Sequence, residues 1–174
     1  MESRVVHDWI APEQIEAARS YQGQLAPELM EQWAPRVAGA ADIRPGNRAL
    51  DIACGTGVLT RSAAALAGAS SLVIGLDRNA GMLAVATTMG AGSHWVQGDA
   101  CALPFGADAF DVIVSQFGLM FFPDPVSAVR DMKRVLAPAG RLVAAVCSPR
   151  ISSARSCVVR SSSCCRSSAT GRAA

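Results

Sequence analysis

The segment Leu50-Asp51-Ile52-Ala53-Cys54-Gly55-Thr56-Gly57-Val58-Leu59-Thr60 constrains this 174-residue chain more than any other. An apolar run ends in an acid, a glycine turn follows, and a helical pattern begins at Val58. That is the order of strand, loop and helix at the ligand crevice of an open parallel sheet, where a helix N-terminus faces the bound group. By itself the segment also fits glycines that serve only a tight strand-to-helix turn.

Two details narrow the ligand. Thr60 stands where the dinucleotide pattern G-x-G-x-x-G carries its third glycine. A carboxylate such as Asp51 beside the loop opposes a pyrophosphate, whereas S-adenosylmethionine carries an ammonium and a sulfonium and no phosphate. The segment therefore favours S-adenosylmethionine, and a nicotinamide oxidoreductase is the distant alternative.

Further along, Ser71-Leu72-Val73-Ile74-Gly75-Leu76-Asp77 is a second buried-strand pattern ending in an acid, the position that holds ribose hydroxyls in doubly wound folds. A third run, Ser93 to Gln97, leads into Gly98-Asp99-Ala100-Cys101-Ala102-Leu103-Pro104-Phe105, so that three acids end three successive strands. With these residues in hand, the chain resembles the class I S-adenosylmethionine-dependent methyltransferases, and within them the branch with the ubiquinone and menaquinone biosynthesis enzymes. The resemblance continues through Ala109-Phe110-Asp111-Val112-Ile113-Val114-Ser115-Gln116-Phe117-Gly118-Leu119-Met120-Phe121-Phe122-Pro123-Asp124-Pro125 and Arg134-Val135-Leu136-Ala137-Pro138-Ala139-Gly140-Arg141-Leu142-Val143.

The resemblance implies roles residue by residue. Asp51 with the backbone at Ala53, Gly55 and Gly57 would hold the methionine end of the cofactor, and Asp77 the ribose diol. Arg78 and Met82 would border the adenine pocket, Asp99 and the Ala100 amide would bind the adenine ring, and Gln116 would lie beside the sulfonium. Met82 also fits a plain core position. Tyr21 and Gln22 either close over the cofactor or pack a helix junction, and Phe117, Phe121 and Phe122 either line an apolar acceptor pocket or fill a buried loop. The catalytic residue is unassigned: His7 is the one histidine outside the Ser93 to Gln97 run and a weak candidate for a general base, against the plainer reading of a surface histidine.

The organisation expected is α/β, a Rossmann-like doubly wound sheet of five parallel strands, because strand and helix patterns alternate. Residues 1–45 read as an N-terminal helical cap, with helices over Pro12 to Ser20 and Leu25 to Gly39, the second presenting Leu25, Leu29, Trp33 and Val37 along one face. Residues 46–147 read as the cofactor-binding core. Its last helix has Asp124 as N-cap and Pro125 at the first helical position, and turns Val126, Val129 and Leu136 toward the sheet; the fifth strand runs from Arg141 to Cys147.

Residues 148–174 break the pattern. They hold five arginines, no acid and no apolar period, which leaves the first 147 residues with 11 of the 16 basic side chains against all 14 acids, a net of −3. The expectation is a disordered Ser/Arg/Cys tail, produced by truncation or a shifted reading frame, in place of the antiparallel hairpin that ends related sheets. Leu142, Val143 and Val146 would then lie on an unpaired edge open to self-association.

Composition excludes several classes. No stretch nears eighteen uninterrupted apolar residues, so no membrane span is expected. Six cysteines without C-x-x-C spacing argue against a metal site and against a disulfide framework, and fit a cytoplasmic protein. Nucleic acid is not an expected partner, since serine-spaced arginines in a short tail are ordinarily solvated. The function expected is methyl transfer to a small-molecule acceptor, with oxygen, nitrogen and carbon all open as targets. The alternative is a non-catalytic remnant that retains cofactor binding or acts only as an interaction partner.

Overall fold

In the computed structural model, which describes residues 10–90, 93–147 and 157–163, six strands form a sheet: β1 (Ala49–Ile52), β2 (Val73–Asp77), β3 (His94–Gln97), β4 (Phe110–Gln116), β5 (Leu136–Cys147) and β6 (Cys157–Ser163). Their order is β3-β2-β1-β4-β5-β6, with β1 to β5 parallel and β6 antiparallel. The crossovers carry α3 (Val58–Ala67) after β1, α4 (Ala80–Thr88) after β2 and α5 (Pro125–Val135) after β4. Every residue of β1 is buried, as expected for a central parallel strand covered on both faces.

Alternation along the strands divides the core in two. Ala49, Val112, Val114, Val143 and Ala145 face α3 and the N-terminal helices, while Leu50, Ile52, Ile113 and Leu142 face α5 through Met132 and Val135. The N-terminal region comprises α1 (Pro12–Ser20), a wide-turned π-helical segment (Tyr21–Met30) and α2 (Ala34–Ala40). Val37 and Ala38 of α2 are fully buried against the sheet. The first turn of α1 passes α4 so closely that a Cβ on Gly81 would lie 2.5 Å from the Gln14 carbonyl oxygen.

Three expectations change. The stripe Leu25, Leu29, Trp33 and Val37 does not share one buried face, because the π-helical turns and the break at 31–33 rotate its members apart; Leu25 is 45% exposed. On α5, the Asp124 carboxylate caps the Ser127 amide at 2.9 Å as expected, but Ala128, Met132 and Val135 form the buried stripe and Val126 points outward, 69% exposed. Those three stand at i, i+4 and i+7, which leaves Val126 on the opposite side.

The third change concerns the tail. Far from being wholly disordered, it supplies β6, whose register runs from Arg141 opposite Ser163 to Cys147 opposite Cys157. The edge of β5 expected to lie open is therefore paired, and its backbone groups find partners within the chain. The rest of the tail lies outside the described residues. β5 itself begins earlier than expected, at Leu136, with a register shift before the continuous ladder from Arg141.

Candidate functional site

The carboxyl ends of β1 and β4 meet where the strand order reverses, the point at which open α/β sheets bind ligands. The residue after each strand, Ala53 and Phe117, takes the left-handed conformation at φ 59°. Such a backbone costs a non-glycine residue about 1–3 kcal/mol and persists only where its surroundings fix it. Gly118 completes the junction: a Cβ there would lie 2.5 Å from the Ala53 Cβ, so only glycine lets the two strand exits close on each other.

A cavity of about 440 Å³ opens at this junction. Nine residues singled out from sequence line it: Tyr21, Ala53, Gly55, Asp77, Arg78, Met82, Asp99, Ala100 and Gln116. Phe117, Phe121 and Phe122 line it too, and so do Leu25, Leu29, Met30, Asn79, Met120 and Pro123, which carried no such expectation except as part of a core stripe. The π-helical segment explains the miss, since it turns Leu25 and Leu29 over the cavity. His7 lies outside the described residues, and His94 on the edge strand is not among the lining residues.

Asp51 stands apart from this large cavity. It borders an adjoining space of about 30 Å³ that shares Tyr21, Met30, Ala53, Gly55 and Gln116 with its neighbour. The carboxylate is 1% exposed; its Oδ2 accepts a hydrogen bond from the Thr60 hydroxyl at 2.6 Å, and its Oδ1 has no partner among the described residues. Burial pushes the Asp51 carboxyl up to about 7, opposed by the Thr60 hydrogen bond and reinforced by the negative charge of Asp77. Gln116 repeats the pattern, its Nε2 donating to the Met30 carbonyl at 3.0 Å while Oε1 is buried without a partner among the described residues. Burial raises the Cys54 thiol and the Tyr21 phenol as well.

Asp77 is arranged differently. Its Oδ2 accepts the Gly55 amide at 2.7 Å and its Oδ1 the Asn79 amide at 2.8 Å, so the same carboxylate that faces the cavity pins the glycine turn. Asp99, at the third strand end, accepts the Cys101 amide at 2.8 Å.

Gly57 lines neither cavity. It takes φ 82° at the start of α3, and a Cβ on it would lie 2.3 Å from Trp95 Cη2. A Cβ on Gly75 of β2 would meet the same indole, 2.6 Å from Cζ3. Two glycines thus make room for one tryptophan from β3, and Gly57 shapes the loop from behind. Among the described residues no group of histidine, cysteine and carboxylate side chains is placed to hold a metal ion, and no helix is long and apolar enough to cross a membrane.

Comparison with known proteins places this geometry in context. A family profile described as a methyltransferase domain matches residues 50–144. The demethylmenaquinone methyltransferase of Staphylococcus carnosus is 40% identical over 119 residues, covering 67% of this chain and 49% of that protein, and a Staphylococcus aureus counterpart is 38% identical over the same length. The chain spans about half the length of the curated relatives it matches. Among solved structures, an S-adenosylmethionine dependent methyltransferase from Mesorhizobium loti aligns with TM-score 0.60 at 27% identity, over 68% of this chain and 55% of that one. A SAM dependent methyltransferase from Aquifex aeolicus, at 18% identity, shares the fold with TM-score 0.66 over 76% of this chain and 72% of its own.

Proposed function

The chain belongs to the methyltransferase-domain family, and on that premise we propose that it binds S-adenosylmethionine at the β1–β4 junction and methylates a small, largely apolar acceptor. The family and its solved members imply S-adenosylmethionine as the cofactor. The residues present fit it. Asp51 and Gln116 border one small space, and each carries a buried acceptor, Oδ1 and Oε1, with no donor among the described residues. Buried acceptors without donors are costly unless a ligand supplies them, and a cationic amine does so best.

In this reading Asp51 and Gln116 hold the amino-acid end, Asp77 accepts from the ribose hydroxyls with its remaining lone pairs, and Met82, Asp99 and Ala100 take the adenine. Bound there, the cofactor supplies a methyl group on a cationic sulfur. Chemistry of that kind asks the chain for alignment and a dry wall more than for acid or base groups. The wall is supplied by Leu25, Leu29, Phe117, Met120, Phe121 and Phe122. Its apolar character, with the name of the Staphylococcus relatives, supports a planar acceptor of the quinone type over a polar one. The assembled cavity favours an enzyme over a remnant.

The observation that carries the reading is the convergence of three strand-end acids on adjoining cavities, one of them with an unpaired buried oxygen. Calorimetric titration with S-adenosylhomocysteine tests it. Saturable binding is expected, weakened about 100-fold or more in Asp77→Ala, because that change removes a ligand contact and frees the glycine turn together, each a charge-assisted bond of roughly 1.5–3 kcal/mol. A folded protein that binds nothing would overturn the reading.

A further inference from the structure

Thr60 breaks the dinucleotide pattern, and the structure gives its side chain a task. The hydroxyl is fully buried on the first turn of α3 and donates its one hydrogen to Asp51 Oδ2 at 2.6 Å. Space for it comes from β2: a Cβ on Gly75 would stand 2.9 Å from Thr60 Oγ1. One carboxylate oxygen is thereby spoken for, and the other, Oδ1, is buried with no donor among the described residues, in a residue that borders the same small space as Gln116, whose Oε1 also lacks a partner there.

We propose that Thr60 is a positioning residue that fixes Asp51 so that its free oxygen is reserved for a cationic amine, making the small pocket a selector for the charged amino group of the cofactor. This rests on the cofactor reading above and deepens it: the adenosine part is held by the large cavity, and discrimination by charge is assigned to Thr60 acting through Asp51.

The surroundings make that selection proton-linked. The groups that face Asp51 are the Thr60 hydroxyl from α3, the Asp77 carboxylate at the end of β2, the Cys54 thiol in the turn and the Tyr21 phenol from the π-helical segment, with uncharged Gln116 from β4. Among the described residues none of these supplies a positive charge, so before the ligand arrives burial keeps the Asp51 proton on at mildly acidic pH. An arriving ammonium favours the carboxylate, and the Asp51 proton leaves to solvent. Affinity for an amine-bearing ligand therefore falls as pH drops below about 7, the value to which Asp51 is raised. Removing the Thr60 donor, which stabilises the charged form, moves that midpoint upward.

The test is a calorimetric titration of the full chain and its Thr60→Val, Thr60→Ser and Asp51→Asn forms with S-adenosylhomocysteine and its desamino analogue, which differ only in the amine, between pH 5.5 and 8. Thr60→Val should lose about tenfold on the amine-bearing ligand, equivalent to about 1.4 kcal/mol, and less than about twofold on the desamino analogue. Its pH midpoint should rise, Thr60→Ser should behave like the parent, and Asp51→Asn should lose both the discrimination and the pH dependence. Equal losses on both ligands, or an unmoved midpoint, would reduce Thr60 to a packing residue and overturn the proposal alone. A folded parent chain that binds neither ligand would overturn the cofactor reading and the proposal with it.

Discussion

The two sides of the central cavity are built on opposite plans. Around the ends of β1 and β2 every element is tied by hydrogen bonds: Asp77 holds two backbone amides, Thr60 holds Asp51, and Asn79 caps α4 through the Gly81 and Met82 amides. Beyond β4 the wall is apolar and open, with Phe121 79% exposed and Met120 46%. The first side is polar and organised by its own hydrogen bonds, with Asp51 and Thr60 buried; the second offers surface without fixed donors or acceptors. A cofactor with a fixed pattern of charges calls for the first, and an acceptor held by shape for the second.

The polar side holds one element that works against stability, which gives the largest predicted effect. Asp51 has its folded carboxyl raised from the ordinary range to about 7. Below about pH 4 it is neutral folded or unfolded; as pH rises the unfolded chain ionises first, so folding stability is lost until the folded group ionises too. The slope is about 1.4 kcal/mol per pH unit, or roughly 4 kcal/mol at most across the window. Asp111 and Asp131, lowered by hydrogen bonds from Arg48 and Arg134, act in the opposite sense and only at more acidic pH. Urea unfolding of the ligand-free protein should thus show lower stability at pH 7.5 than at pH 5, and Asp51→Asn should flatten the difference. A parent profile that already matches the Asp51→Asn profile would remove the contrast between the two sides.

Next in size is the support behind the glycine turn. Gly57→Ala places a Cβ 2.3 Å from the Trp95 ring on a residue at φ 82°, whereas Gly46→Ala meets nothing within 4 Å at φ 87°. Left-handed strain alone costs about 1–2 kcal/mol, and overpacking adds about 1–3. Gly57→Ala should therefore be the more destabilising by roughly 2 kcal/mol in urea unfolding, and Trp95→Leu should recover part of that difference while leaving Gly46→Ala unchanged. Equal costs at the two glycines would show that the indole yields freely and that the turn is not braced from β3.

These contrasts also explain what the sequence made legible. The three strand-end acids, the glycine turn and the parallel order follow from local signals, each a short apolar run ending at a turn, and the family resemblance these carry pointed to nine of the residues that line the cavity. At Gly57 the glycine pattern also records a close approach by Trp95, 38 residues away in sequence, which no local signal announces. The Thr60 to Asp51 bond left only a missing glycine as its trace. On the apolar side, Leu25 and Leu29 looked like a core stripe because a period of four assumes α-helical turns, and the chain there takes wider ones. β6 had no apolar period to betray it; its described feature is backbone pairing along β5, which composition does not encode.

The smallest effect is expected on the apolar side, and it is the most discriminating. Phe121 sits on a short 3₁₀ turn (Leu119–Phe121), is 79% exposed and still borders the cavity. An exposed aromatic contributes little to folding, so Phe121→Ser should change stability by less than about 0.5 kcal/mol. It should also leave S-adenosylhomocysteine affinity within about twofold, since no hydrogen bond of the polar side reaches it. What it should weaken is the acceptor: with a naphthoquinol as methyl acceptor, KM should rise several-fold while the cofactor constants stay put. If Phe121→Ser lowered cofactor affinity as much as acceptor affinity, the two sides would be one coupled site. An unchanged KM would instead place the acceptor deeper, against Phe117 and Phe122, where the wall is less exposed.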